Sequence, residues 1–75
     1  MDFPAYRKLS NNKSFYKILS ESAFEEIQMV GPSAIKTKIS AQKFPEILRI
    51  KEMISLDGPF LKSSVKEYEL YASAV

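Results

Sequence analysis

Five carboxylates have the strongest claim to chemistry in this chain. Glu25, Glu26, Glu46, Glu52 and Asp57 offer the raw material for a two-carboxylate site, in which one acid protonates a leaving group and the other activates a nucleophile. Most of them fall on polar faces of expected helices, where a carboxylate is ordinary solvated surface. The residue types that usually accompany catalysis are missing. There is no histidine and no cysteine, so neither a Ser–His nor a Cys–His pair exists to activate a nucleophile. The two glycines, Gly31 and Gly58, cannot build a phosphate-cradling loop or a dinucleotide fingerprint. The commonest zinc ligands are absent, and no Asp-x-Asp run with a glycine and a distal glutamate marks a calcium loop. The expectation is a protein with no catalytic residues, no metal and no cofactor.

Cations make a second pattern. In the run 34–41, Lys36 and Lys38 alternate with Ile35, Thr37 and Ile39, as on a half-buried strand with one wet face. If Arg7, Phe15 and Lys17 of the preceding hairpin align with these lysines, one sheet face shows Arg7, Lys17, Lys36 and Lys38 around an aromatic ring. Charge that tracks a phosphate backbone, with a ring that stacks a base, is how several single-strand nucleic-acid binders work. Lysines on a sheet surface also serve simply to keep it soluble.

The third pattern is apolar surplus. Over 44–56, Ile47, Ile50 and Ile54 form a core stripe. Met53 and Leu56 are expected on roughly the opposite side, with Leu48 on a flank. A helix apolar on more than one face is buried on more than one side. A twofold dimer satisfies that requirement, with Tyr68 and Tyr71 as further interface anchors. A C-terminal helix that covers the same side within the chain satisfies it equally.

These side chains need elements to hold them. Ala5–Leu9 and Ser14–Leu19 flank Asn11-Asn12, a hairpin signal. Ser22-Ala23-Phe24-Glu25 has the form of a capping box. Phe24, Ile27 and Val30 follow at helical spacing, and Gly31-Pro32 stands where a helix would stop. A helix over 22–30 is therefore expected, with a strand over Glu26–Val30 as the rival. A strand at 34–41 follows, then a helix over 44–56 that opens on Pro45 and Glu46 and ends at Asp57-Gly58-Pro59. A second capping box, Ser64 to Glu67, begins a helix over 64–74. The expected order is β-β-α-β-α-α: an α+β domain over residues 1–75, with a three-stranded sheet and helices packed on one face.

The totals suit that picture. The 75 residues are 45% hydrophobic and 27% charged, with a formal net charge of +2, which is globular rather than disordered composition. Without cysteine no disulfide can staple the fold, so stability must come from the core or from association. No run approaches the ~20 apolar residues of a membrane span. Met1-Asp2-Phe3-Pro4 lacks the basic and apolar regions of a signal peptide, which points to the cytoplasm. Basic and acidic blocks alternate along the chain, as complementary protein surfaces do. The expected function is a non-catalytic interaction module that self-associates or binds another protein. The alternative is a weak, charge-driven binder of single-stranded nucleic acid.

Overall fold

Left-handed residues set the turns. In the computed structural model, which describes residues 3–73, Asn12 sits at φ +59° in the loop between β1 (Ala5–Leu9) and β2 (Ser14–Ser20). Asparagine tolerates that region better than most side chains. Glu21-Ser22 links β2 to β3 (Ala23–Val30). Gly31-Pro32 links β3 to β4 (Ser33–Ser40). Gly31 has φ +60°, as the first loop position of a type II′ hairpin requires. Pro32 follows with its φ already restricted by its ring.

The chain then forms helix α1 (Phe44–Ser55), the short strand β5 (Phe60–Lys62) and helix α2 (Val65–Ala72). The strands make one antiparallel sheet in the order β4-β3-β2-β1-β5. The α+β class and the antiparallel sheet are as expected. The sheet has five strands rather than three, and the order is β-β-β-β-α-β-α.

The extra central strand is the segment 22–30. It forms β3, not a helix, and the reason lies in its position. β3 is inside the sheet and both of its faces are covered. Phe24 packs in the core beneath α1, and Ile27 packs in a separate core beneath α2; both are fully buried. Their i, i+3 spacing comes from a switch of faces and only imitates a helical period. The serine of the apparent capping box is used in the turn, where Ser20 Oγ accepts from the Ser22 amide at 3.2 Å.

The helices therefore lie on opposite faces of the sheet. Ala5, Tyr16, Ile18 and Phe24 meet Ile50 and Met53 of α1, with Phe60 closing the cluster. Phe15 and Ile27 meet Tyr68 of α2, with Tyr6, Met29 and Tyr71 at its margin. Each face of the sheet thus carries its own small core. Met53 is fully buried. It lies one turn after Ile50 and widens the core stripe instead of opposing it.

α1 ends in a Schellman-type arrangement with leucine at the left-handed position. Leu56 has φ +59°, a conformation costing about 1–2 kcal/mol for an L-residue. Asp57 N–H donates to Glu52 C=O at 2.9 Å and Leu56 N–H to Met53 C=O at 3.3 Å. α2 begins on Ser64, whose Oγ accepts from the Glu67 amide at 3.1 Å, half of the expected capping box. The Glu67 carboxylate turns elsewhere, accepting from Ser63 Oγ and from Lys8 Nζ at 3.1 Å.

Those two bonds, that of Ser63 first, hold the Glu67 carboxyl below its ordinary value near 4.5. A lowered folded-state pKa stabilises the fold above the unfolded value and is lost as pH falls through the folded one. Wild type should therefore be more stable than Glu67→Gln to urea at pH 7, by less than about 1 kcal/mol for a partly exposed pair. The gap should shrink below about pH 4.5. A gap that is constant between pH 7 and pH 3 would remove the carboxylate from this role.

Candidate functional site

Adjacent carboxylates on one strand point to opposite sides of its sheet. Glu26 lies on the α1 face, where Arg49 donates to its Oε2 at 3.2 Å and to Tyr16 Oη at 2.8 Å. The Arg49 guanidinium also lies over the Tyr16 and Phe24 rings at 5.3 and 5.6 Å, a cation–π arrangement. Glu25 lies on the α2 face, where it accepts from Tyr68 Oη at 3.2 Å and stands 3.8 Å from Lys36 Nζ. Burial pushes the Tyr16 and Tyr68 phenols up from their ordinary value, with Glu25 adding to the shift at Tyr68. Glu25 thus bonds Tyr68 while Glu26 shares Arg49 with Tyr16 on the opposite face, and the two carboxylates cannot converge on one bond. Among the described residues, no group of three or more metal-ligating side chains comes together.

The cationic face is divided in the same way. Arg7 is buried on the α1 side, where Nε donates to Met53 C=O at 2.7 Å and Nη2 to Ile54 C=O at 3.5 Å. Nη1 donates to Tyr6 C=O at 2.8 Å. This guanidinium caps the last turn of α1, where the helix dipole favours a cation. Burial lowers its pKa from the usual arginine value. Phe15 is fully buried on the other face, stacked on Tyr71 with ring centroids 4.0 Å apart and 14° between planes. The expected surface of Arg7, Phe15, Lys17, Lys36 and Lys38 is therefore corrected. Arg7 and Phe15 are structural and lie on opposite sides of the sheet. Lys17, Lys36 and Lys38 share the α2 face, which α2 covers only in part.

The expected self-association patch fares similarly. Met53 and Tyr68 are core residues, and Tyr71 is held by Phe15. Leu56 is half-buried at the α1 cap, and Leu48 is exposed. The C-terminal helix does not cover a second side of α1 as expected; it packs on the opposite face of the sheet, and Leu48 stays exposed. An open depression of about 520 Å³ beside α2, lined by Ser64, Lys66, Glu67, Glu69, Leu70 and Tyr71, carries no cluster of buried polar groups.

One surface remains unused, and the backbone defines it. The two-residue loop at Gly31-Pro32 makes Val30 and Ser33 the closing hydrogen-bonded pair. Pairs along an antiparallel ladder then alternate. With the register Gln28↔Ile35, Glu26↔Thr37 and Phe24↔Ile39, Ile35, Thr37 and Ile39 bond to β3. The bond from Ala41 N–H to Ser22 C=O, 2.7 Å, keeps the same phase one step further. The N–H and C=O groups of Ala34, Lys36, Lys38 and Ser40 therefore point away from the sheet. β4 is an edge strand of the sheet, at the opposite end from β5.

This edge is eight residues long, its pairing with β3 is free of bulges, and it holds no proline. On its α1 side Ile35 is 50% exposed, because α1 covers the Phe24–Ile39 end and leaves the other end open. Alternation in the sequence marked Lys36 and Lys38 as outward side chains. That they sit on a free edge was hidden, because strand order depends on β3.

No known protein family, curated protein or solved structure matches the chain. Among the described residues, no helix is long and apolar enough to cross a membrane.

Proposed function

We propose that this chain is a non-catalytic interaction module that takes up an extended polypeptide segment as an added strand along β4. The contrast between the two sheet edges carries this proposal. Proteins blunt exposed edges by shortening them, bulging them or placing proline and charge there. The β5 edge is three residues long. The β4 edge is eight residues long, and its only guards are Lys36 and Lys38. An added strand would satisfy the outward groups of Ala34, Lys36, Lys38 and Ser40 with main-chain hydrogen bonds, the usual source of affinity in strand addition.

Nucleic-acid binding is the competing proposal. It keeps Lys17, Lys36 and Lys38 as a small basic group but loses the ring expected beside them for base stacking, since Phe15 is buried beneath Tyr71.

The test is an amide NMR titration with pooled, end-capped eight-residue peptides of high strand propensity. Shifts are expected at Ala34, Lys36, Lys38 and Ser40. Lys38→Pro removes an outward N–H without touching the β3 ladder, which an edge strand tolerates. It should abolish those shifts and preserve the remaining spectrum. Shifts centred elsewhere, or peptide binding that survives Lys38→Pro unchanged, would contradict strand addition at β4.

A further inference from the structure

Side chains on neighbouring strands line up in rows across a sheet, and opposite charges directly across a pair stabilise it. One row on the α2 face runs Tyr6, Lys17, Glu25, Lys38. Its charges alternate, positive, negative, positive, and it stops at the open edge on a lysine. The neighbouring row runs Lys8, Phe15, Ile27, Lys36. It also stops on a lysine. Lys36 reaches back only to 3.8 Å from Glu25 and is 45% exposed at its side chain. Lys38 is exposed and, among the described residues, has no ion pair within 4.0 Å. On the opposite face the same strand presents Ile35, Thr37 and Ile39, with Ile35 half exposed and Ile39 partly buried.

We infer that the segment taken up along β4 carries acidic residues at positions i and i+2, opposite Lys38 and Lys36, with apolar residues at i−1 and i+3 beside Ile39 and Ile35. This rests on the strand-addition proposal and specifies its ligand. An antiparallel segment in that register continues the alternating row with a negative charge. It also places its acids at hydrogen-bonded positions, because Lys36 and Lys38 are the residues whose backbone groups face outward. Its apolar side chains extend the α1-side surface that α1 leaves uncovered.

A second copy of this chain is a poor occupant. Antiparallel pairing of β4 with itself through the outward groups sets even-numbered residues against even-numbered ones. Registers centred on this stretch place Lys36 against Lys38, or each against itself, and like charges directly opposite are destabilising.

The experiment uses three end-capped peptides, Thr-Val-X-Thr-X-Val-Thr with X as Glu, Gln or Lys, titrated against the whole chain while amide shifts are recorded. The Glu peptide should move the Ala34, Lys36, Lys38 and Ser40 amides and bind about three- to tenfold more tightly than the Gln peptide at low salt, the range for two exposed ion pairs. The Lys peptide should be the weakest. Lys36→Glu with Lys38→Glu should reverse the order. Salt near 0.3 M should bring the Glu and Gln peptides together.

Equal binding of the Glu and Gln peptides at the edge would overturn the acidic preference and leave strand addition standing. Failure of all three to shift the edge would overturn both. A chain already dimeric with its edge amides protected would show that a second copy is the occupant. A single-stranded oligonucleotide that shifts the same lysines, where the Glu peptide does not, would assign the surface to nucleic acid.

Discussion

Met53→Glu is expected to yield a chain without a cooperative unfolding transition. Met53 has no exposed surface and sits among Tyr16, Ile50 and Phe60. A carboxylate there would have to ionise in an apolar core or take up a proton, and either alternative costs several kcal/mol. The nearby guanidinium of Arg7 is already spent on the Met53 and Ile54 carbonyls. A small domain has little stability to lose. Thermal circular dichroism and amide dispersion would read the outcome. Met53→Leu, similar in volume, should cost under about 1.5 kcal/mol. Leu48→Glu, at a position 43% exposed, should stay within about 0.5 kcal/mol of wild type. A folded Met53→Glu monomer, from a wild type that is dimeric, would return this side chain to an interface.

Phe15→Ala should cost about 3–5 kcal/mol, the range for deleting a buried aromatic ring. The α2 core is small, with Phe15, Ile27 and Tyr68 as its buried members. Few neighbours are available to collapse into the void. Tyr71 would lose the ring it stacks on at 4.0 Å. Tyr68 would keep its bond to Glu25 and its tilted contact with Tyr6 at 5.6 Å. α2 should therefore loosen before the sheet does, as a local opening. Amide exchange should accelerate across Val65–Ala72 more than across β2 and β3, while urea denaturation reports the global loss. A cost below about 1 kcal/mol, with α2 protection unchanged, would mean that the ring does not hold this helix.

Much of the local structure was legible in the residues. Asn12 turns the first hairpin, the Ile35 to Ile39 alternation is a strand, and Pro45 and Ser64 open the two helices. The failure at 22–30 has a single physical cause. Reading a period of side-chain burial assumes one buried face, and β3 has two. Phe24 and Ile27 each obey the strand period on their own side, and superimposed they resemble a helix. Arg7 and Phe15 part company through register. Arg7 pairs with Tyr16, so it and Phe15 lie on opposite faces of the hairpin, and α1 and α2 cover one face each. Arg7 carried no signal in sequence, because what it bonds is the carbonyl end of a helix 46 residues further on. The lysines of β4 were recognisable, but their place on a free edge follows from strand order, and strand order from β3.

The β4 edge is tested most directly by residue-resolved amide hydrogen exchange on the free protein, in the regime where exchange reports local opening. If the edge is open and the ladder runs in the phase set by Gly31-Pro32, then Ile35, Thr37 and Ile39 should be protected by β3, while Lys36 and Lys38, with Ala34 and Ser40 beyond them, exchange close to the rate of an unstructured chain. Protection at both sets of positions would mean that the edge is already paired, and this would contradict an open docking strand.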